Sequence, residues 1–268
     1  MKIFLSECEV AYDTYTFPYA IYCKRENPAE TPEIYQKGFL PFSGDSGLDG
    51  DYFYLARSLR VNLSKFSDSS ENRRIHRKAG LLFYAISLES IDKSNFDTED
   101  PSFRNLCLDY ATRRYKAGSM DGTRLSYVTS RKLLNHYFVL KDGHKILGYV
   151  FAPMYGDIIH YWFSFFDYEY MESGFPLGKY LMWRTIKWAK QQGGYKYFYL
   201  GTCYKTSSLY KVRDHSGIEF FDGNSWNNDV KILKTLCIND DAREQKSDLF
   251  KSDLDIVDSL YRNILHQK

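Results

Sequence analysis

Residues 158–211, IIHYWFSFFDYEYMESGFPLGKYLMWRTIKWAKQQGGYKYFYLGTCYKTSSLYK, decide the fold. The stretch reads as strand, glycine turn, helix, strand and short polar loop. Ile158–Phe166 is a nearly unbroken aromatic and β-branched run, the pattern of a strand buried on both faces. It ends at Asp167, with Glu169 two residues on. Two glycines and Pro176 then break regular structure and let a helix begin. From there Leu177, Tyr180, Leu181, Trp183, Ile186 and Trp188 keep close to a 3.6-residue period, and Gly193-Gly194 marks the helix end. Tyr195–Leu200 reads as a second buried strand, closed by Gly201. A strand–turn–helix–strand unit carries the helix N-terminus and the strand ends toward one sheet edge, where open α/β sheets hold ligands. Most of this stretch is core by composition. Asp167, Glu169 and the run Thr202–Lys211 are not explained by packing.

Upstream, Asn135–Ala152 alternates around Asp142-Gly143, a hairpin signal, and a further turn at Tyr155-Gly156-Asp157 leads into the central strand. Two helices are expected before it, over Phe103–Lys116 and Thr123–Leu134. Asp92–Pro101 reads as an acidic loop, and Ala79–Ile86 (AGLLFYAI) as a buried strand. Tyr52–Leu63 has strand composition interrupted by Arg57 and Arg60, and Ser67–Ser70 resembles a helix cap. Between Arg57 and Lys78 seven Lys/Arg stand against Asp68 and Glu71, a local charge of +5. Paired arginines there suit phosphate or carboxylate, or else a solvated helix end. Thr31–Gly38 is a short helix with Pro32 near its start, and Gly44–Gly50 a glycine-rich loop. Downstream, Gly217–Trp226 reads as strand and turn, Asn239–Asp248 as a loop, and Ser252–Leu265 as a terminal helix. The expected division is 1–100, an N-terminal domain with the basic block, and 101–268, the domain that holds the central stretch.

The chain has 268 residues, room for one or two cores, and a formal net charge of +2, which does not mark a nucleic-acid binder by composition. Aromatic residues make up 18%, with 24 tyrosines, which suits half-polar binding surfaces and equally AT-rich coding. Cys8, Cys23, Cys107, Cys203 and Cys237 are isolated, with no CxxC, so no zinc site or disulfide framework is expected and a reducing interior fits better. The acidic N-terminus is unlike a signal peptide, and no apolar run reaches membrane-spanning length. The expectation is a cytoplasmic protein with no metal, acting as a monomer.

A further signal comes from a set of blocks. YQKGFLPFSG (35–44), LRVNLSKFSDSSENRR (59–74), YATRRYKAGSMD (110–121), SFFDYEY (164–170), PLGKYLMWRTIKWAKQQGGYKYFYLG (176–201) and SLYK (208–211) follow one another in the order of the arginyl/leucyl-tRNA–protein transferases. Over roughly 31–215 the chain resembles that family. Its blocks read GFRRSG, RVPVxxFxPSxSQRR, YxxxRHxxGxMD, YTFYDPD, SLGTYLILWQIELAKxLGLPYxYLG and KMxYK. There are departures. The family's cysteine-containing segment is here Tyr52–Ser58, without cysteine, so its iron–sulfur or thiol regulation does not carry over. The proline of DPD is Tyr168, and its last acid is Glu169.

The resemblance implies an α+β fold of three layers. Its core is a GNAT-like acyltransferase domain with a mixed, mostly antiparallel sheet, preceded by an N-terminal β-rich extension. It implies transfer of Arg or Leu from charged tRNA, the co-substrate, to the α-amine of an acidic N-terminal residue, with no other cofactor. Such a reaction needs a deprotonated amine, a stabilised oxyanion and a proton for the leaving ribose oxygen. Asp167, or Glu169, would accept or orient the amine proton, and Tyr210 would donate to the leaving oxygen. Arg60, Arg73, Arg74, Arg113, Arg114, Gly178, Lys179 and Lys211 are the candidates for tRNA or substrate contacts. Two alternatives stay open: an acetyl-CoA-dependent N-acetyltransferase, and a non-catalytic module that binds tRNA or peptide N-termini. Against the first, Gly174–Gly178 has the wrong spacing for a pyrophosphate cradle and a proline where an N–H should point at phosphate.

Overall fold

The computed structural model describes residues 1–7, 19–44, 50–115, 119–172 and 174–242. Cys8 and the expected helix over 252–265 lie outside the described residues. In chain order the elements begin with β1 (Lys2–Glu7), β2 (Tyr19–Arg25), α1 (Thr31–Gln36), β3 (Phe39–Pro41), β4 (Asp51–Leu55), β5 (Ser58–Asn62), α2 (Ser70–Leu82) and β6 (Ile86–Asp92). Then come α3 (Pro101–Arg114), α4 (Gly122–Ser130), β7 (His136–Asp142), β8 (Lys145–Ala152), β9 (Met154–Tyr155), β10 (Ile158–His160), β11 (Phe163–Phe166) and α5 (Glu169–Glu172). The chain continues through α6 (Leu177–Gln192), β12 (Tyr197–Thr202), α7 (Tyr210–Arg213), β13 (Ile218–Phe221), β14 (Trp226–Asn227) and α8 (Val230–Ala242). Two compact units result: Met1–Lys65 with Tyr199–Lys268, and Phe66–Phe198.

The Phe66–Phe198 unit is built on an antiparallel sheet of order β11-β8-β7-β6. The Asp142-Gly143 turn forms as its composition requires, with Gly143 at φ +56°. Alternation along β7 sends Tyr137 and Phe138 to opposite faces. Tyr137 stacks on Phe96 at 4.0 Å, and Phe103 of α3 meets Tyr149 and Phe151 at 5.0 and 5.8 Å. On the other face Phe138 meets Trp188 of α6 at 4.9 Å. The sheet is thus layered between α3 and α6, and α2 lies against α6, where His76 meets Trp183 at 5.1 Å. Phe103, Tyr137, Phe138, Phe151, Phe165, Tyr180 and Trp183 are buried to 2% or less, each stabilising by roughly 1.5–3 kcal/mol through lost apolar exposure.

The central run does not form one strand. β10 pairs with β9 while β11 pairs with β8, and Tyr161-Trp162 lie between. The cause sits opposite: Pro153 separates β8 from β9, and its carbonyl accepts from His160 N at 2.9 Å while the ring has no N–H to return.

The buried strand expected over Ala79–Ile86 is also corrected. α2 runs to Leu82, capped by Ser69, whose hydroxyl accepts from Asn72 N at 3.0 Å. Ile75 and Ala79, four apart, carry its buried face, while Leu81 and Tyr84 are 91% and 99% exposed.

In the other unit β1-β2-β4-β3 form one antiparallel sheet. β14, β13 and β5 lie in sequence beside β12 in a second. The 52–63 strand material divides at Ala56-Arg57 into β4 and β5, which join different sheets. The loop expected over 239–248 is helical as far as Ala242. Asp229 caps α8 by accepting from Lys231 N at 2.8 Å, and Leu233 and Cys237 bury one stripe of it.

Candidate functional site

The end of β11 carries the first group of expected residues. Asp167 N donates to Leu147 O at 2.9 Å, which aligns the chain end with β8. The Asp167 carboxylate accepts from Glu169 N at 3.1 Å, opening α5, and pairs with Lys145 Nζ at 3.0 Å. Glu169 is exposed, 3.9 Å from the same ammonium. The Asp167 hydrogen bond raises the pKa of Lys145, whose Nζ also lies 4.9 Å from the Tyr170 ring centre. Arg113, at the end of α3, pairs with Asp109 at 3.1 Å and lies 5.5 Å from the Tyr168 ring. The structure therefore brings Asp167, Glu169 and Arg113 around the 167–170 segment. Arg114 is exposed on the same helix end. Lys145, the partner that fixes Asp167, carried no sequence signal beyond its hairpin position.

A second group gathers at the N-terminal turns of α2 and α6. Glu71 pairs with Arg74 at 2.7 Å and with Lys179 at 3.4 Å, and Arg73 donates to Asp68 O at 2.6 Å. The Arg74 hydrogen bond, with Lys179 beside it, holds the Glu71 carboxyl down at about 2. Gly178 is there for packing: a Cβ would stand 2.5 Å from the Phe166 ring. Asp68 accepts from Trp183 Nε1 at 2.7 Å and pairs with Lys187 at 2.8 Å.

The third group lies in the Met1–Lys65 and Tyr199–Lys268 unit. Tyr210, at the start of α7, is half exposed. Lys211 Nζ donates to Thr202 O at 2.9 Å and forms no ion pair among the described residues; burial pulls its ammonium below the ordinary range. Arg60 sits in the interior. It pairs with Glu219 at 2.8 Å, donates to Gln36 Oε1 at 2.7 Å and to Tyr199 Oη at 3.3 Å, and stacks on Trp226 at 3.8 Å.

Cys23, Cys107, Cys203 and Cys237 are buried, and burial raises each thiol, Cys203 to about 12. None of these four offers a thiolate nucleophile at neutral pH. Among the described residues no group of three His, Cys, Asp or Glu is placed to hold a metal ion, and no helix is long and apolar enough to cross a membrane.

Asp167, a strand-end carboxylate, Tyr210, half exposed, and Lys211, a desolvated amine, are each of a type used in acid–base chemistry. Residues 128–211, which hold Asp167, Glu169, Gly178, Lys179, Tyr210 and Lys211, match the family model described as acetyltransferase (GNAT) domain. The mixed α/β fold with a GNAT-like acyltransferase domain is thereby in place. At the turn before α6 the helix begins at Pro176 with no side-chain cap, and the space that a Cβ on Gly178 would need is filled by the Phe166 ring.

No curated protein matches the sequence. Among solved structures, L-PGS from Bacillus licheniformis is similar with a TM-score of 0.40 and 17% identity, over 66% of this chain and 50% of that one. The C-terminal domain (DUF2156) of a protein described as a lysylphosphatidylglycerol synthetase from Agrobacterium fabrum gives 0.43 and 12%, over 82% and 71%. FemX gives 0.41 and 12%, over 68% and 63%. The chain therefore spans half the length of L-PGS, and likeness at this level says nothing about substrate.

Proposed function

We propose that the chain is an aminoacyltransferase that moves Arg or Leu from charged tRNA to the α-amine of a peptide beginning with Asp or Glu. The observation that carries this reading is the acetyltransferase (GNAT) match over 128–211, which contains the Asp167 and Tyr210 blocks of the resemblance. In this reading the incoming α-amine attacks the ester carbonyl and a tetrahedral oxyanion forms. The C–O bond to the ribose breaks, and the ribose oxygen takes a proton. Asp167 receives or orients the amine proton, and its pairing with Lys145 keeps the carboxylate aimed. Tyr210 supplies the proton to the leaving oxygen. Lys211, a buried amine with no carboxylate partner among the described residues, answers to a phosphate of the donor.

The test is transfer of radiolabelled Arg or Leu from charged tRNA to peptides starting with Asp, Glu or Ala. Label is expected in the acidic peptides only. Asp167→Asn and Tyr210→Phe are expected to lower the rate by about 10²–10⁴-fold, the range for a lost acid or base. Retention of charged tRNA without discharge in every arm would replace the enzyme by a binding module. A second reading, acetyl transfer, has the family description in its favour and the spacing of Gly174–Gly178 against it. Saturable acetyl-CoA binding by calorimetry would decide for it.

A further inference from the structure

A cavity of about 230 Å3 opens within the Phe66–Phe198 unit, where the outer face of α6 meets α2 and β6. Trp183, Arg184, Lys187, Trp188 and Gln191 come from α6, and their spacing of three and four puts them on adjoining stripes of one helix. His76 of α2 and Leu88 of β6 complete the lining. The group takes no part in the acyl-transfer roles above.

One cation of this cavity is not neutralised. Arg184 forms no ion pair among the described residues. Its Nη1 donates to Tyr180 Oη at 2.9 Å, and its other N–H groups make no bond to a described residue. Lys187 is paired with Asp68 at 2.8 Å and lies 4.9 Å from the Trp183 ring centre. The Gln191 amide has no hydrogen bond to a described residue and is exposed. His76 bonds Tyr180 Oη at 3.2 Å, and burial, with the Arg184 and Lys187 charges, lowers its pKa. It therefore adds little charge at neutral pH. The apolar wall is rigid: Trp188 is half-buried, held by Phe138 at 4.9 Å and Tyr195 at 6.2 Å.

A guanidinium without a carboxylate calls for an anion, and its planar fork matches phosphate. An indole wall calls for a flat apolar body, and base–aromatic stacking is tolerant of which base it receives. An open carboxamide can read a base edge from either its donor or its acceptor side. We propose that this cavity binds a nucleotide, with the base against Trp188 and Leu88, its edge on Gln191, and the phosphate on Arg184 with Lys187 beside it. A free nucleoside monophosphate and the unpaired end of an RNA strand present the same chemistry.

The full chain is titrated with AMP, with CMP, with inorganic phosphate and with a phosphorylated single-stranded trinucleotide, followed by tryptophan fluorescence and calorimetry. Monophosphates are expected to bind saturably. Arg184→Gln should weaken them by about tenfold or more, as the loss of a charge-assisted hydrogen bond does, with an unchanged melting temperature. Gln191→Ala, a surface change, serves as the second variant and should weaken them severalfold. Tighter binding of the trinucleotide assigns the site to a strand end; equal binding assigns it to a free nucleotide. Inorganic phosphate binding as tightly as the monophosphates would overturn the proposal, because the indole wall would then contribute nothing. Affinity unchanged in Arg184→Gln, or no saturation at millimolar ligand, would overturn it as well. Binding alone is read, so the result stands apart from whether the chain transfers an aminoacyl group.

Discussion

Arg60 and Arg184 are the two opposite uses this molecule makes of a guanidinium. Arg60 belongs to the block that gives the sequence its densest positive charge, yet it is 3% exposed and committed to Glu219, Gln36, Tyr199 and Trp226. Arg184 sits on α6 among Lys179, Lys187 and Lys190, and it has no carboxylate partner among the described residues. Charge counted along a chain says where cations are, and only the fold says which of them are already neutralised. The block of 57–78 is mostly spent in this way: Arg57 pairs with Asp240 at 2.6 Å and Arg74 with Glu71 at 2.7 Å.

That contrast is easiest to break at Arg60. Arg60→Ala leaves the Glu219 carboxylate buried with only Asn62, at 3.0 Å, and Lys65, at 3.7 Å, to answer it. The expected loss is about 3–5 kcal/mol in a urea unfolding curve, because a buried charge is left without its partner. Arg60→Met combined with Glu219→Leu should recover most of it, since the pair costs desolvation that an apolar pair does not. If Arg60→Ala unfolds like the wild type, Arg60 is not a structural residue and its place among the substrate contacts is reopened.

Gly178 extends the comparison to a residue of the α6 entrance. Gly178→Ala forces a methyl against the Phe166 ring, at a cost of about 1–3 kcal/mol by overpacking. Phe166→Leu in the same chain should relieve part of that cost. A Gly178→Ala protein of full stability would mean that the glycine leaves room for a ligand.

These positions also show what was legible in the sequence. α6 was, because a 3.6 period over sixteen residues ends on Gly193, which takes φ +74° as a C-cap should. The 142–143 turn was, for the same local reason. AGLLFYAI was misread because a short apolar run is ambiguous in period, and the evidence for helix lay upstream in Ser69, Ile75 and Ala79. α8 was missed because only Leu233 and Cys237 of its stripe are buried. At the candidate site, Asp167 was visible as a carboxylate ending an aromatic strand, whereas its partner Lys145 comes from across the sheet, a relation no spacing records. The Trp183, Arg184 and Trp188 grouping had a faint signal, a cation set into an aromatic helix stripe.

Arg184 sharpens the comparison from the other side. Its one bond is to Tyr180 Oη, which His76 also meets, so Arg184→Ala should cost no more than about 0.5–1.5 kcal/mol, the worth of one hydrogen bond. The same substitution should cost about tenfold in monophosphate affinity. The ratio of the two effects is the reverse of that at Arg60. A large stability loss would place Arg184 with Arg60 as a structural cation and remove the reason for a ligand in the cavity.

The smallest effect expected is at Asp68, which lies between the two extremes: partly buried, and paired with a cavity lysine. Burial pushes its carboxyl up, but the Lys187 and Trp183 hydrogen bonds outweigh this and hold it below the ordinary value of 3.8. A carboxyl lowered on folding stabilises fully above its unfolded pKa, and that contribution fades as pH falls through the folded value. In Asp68→Asn the amide oxygen can still accept from Trp183 Nε1, while the charge facing Lys187 is lost. Stability measured from pH 6 to pH 2 should therefore fall less steeply in the variant, with the two curves converging in acid. The same change leaves Lys187 without its counter-ion, so monophosphate affinity at neutral pH should rise. A variant that loses affinity would mean that Asp68 positions Lys187 more than it neutralises it, and the cavity would then depend on the ion pair for its shape and not only on Arg184 for its charge.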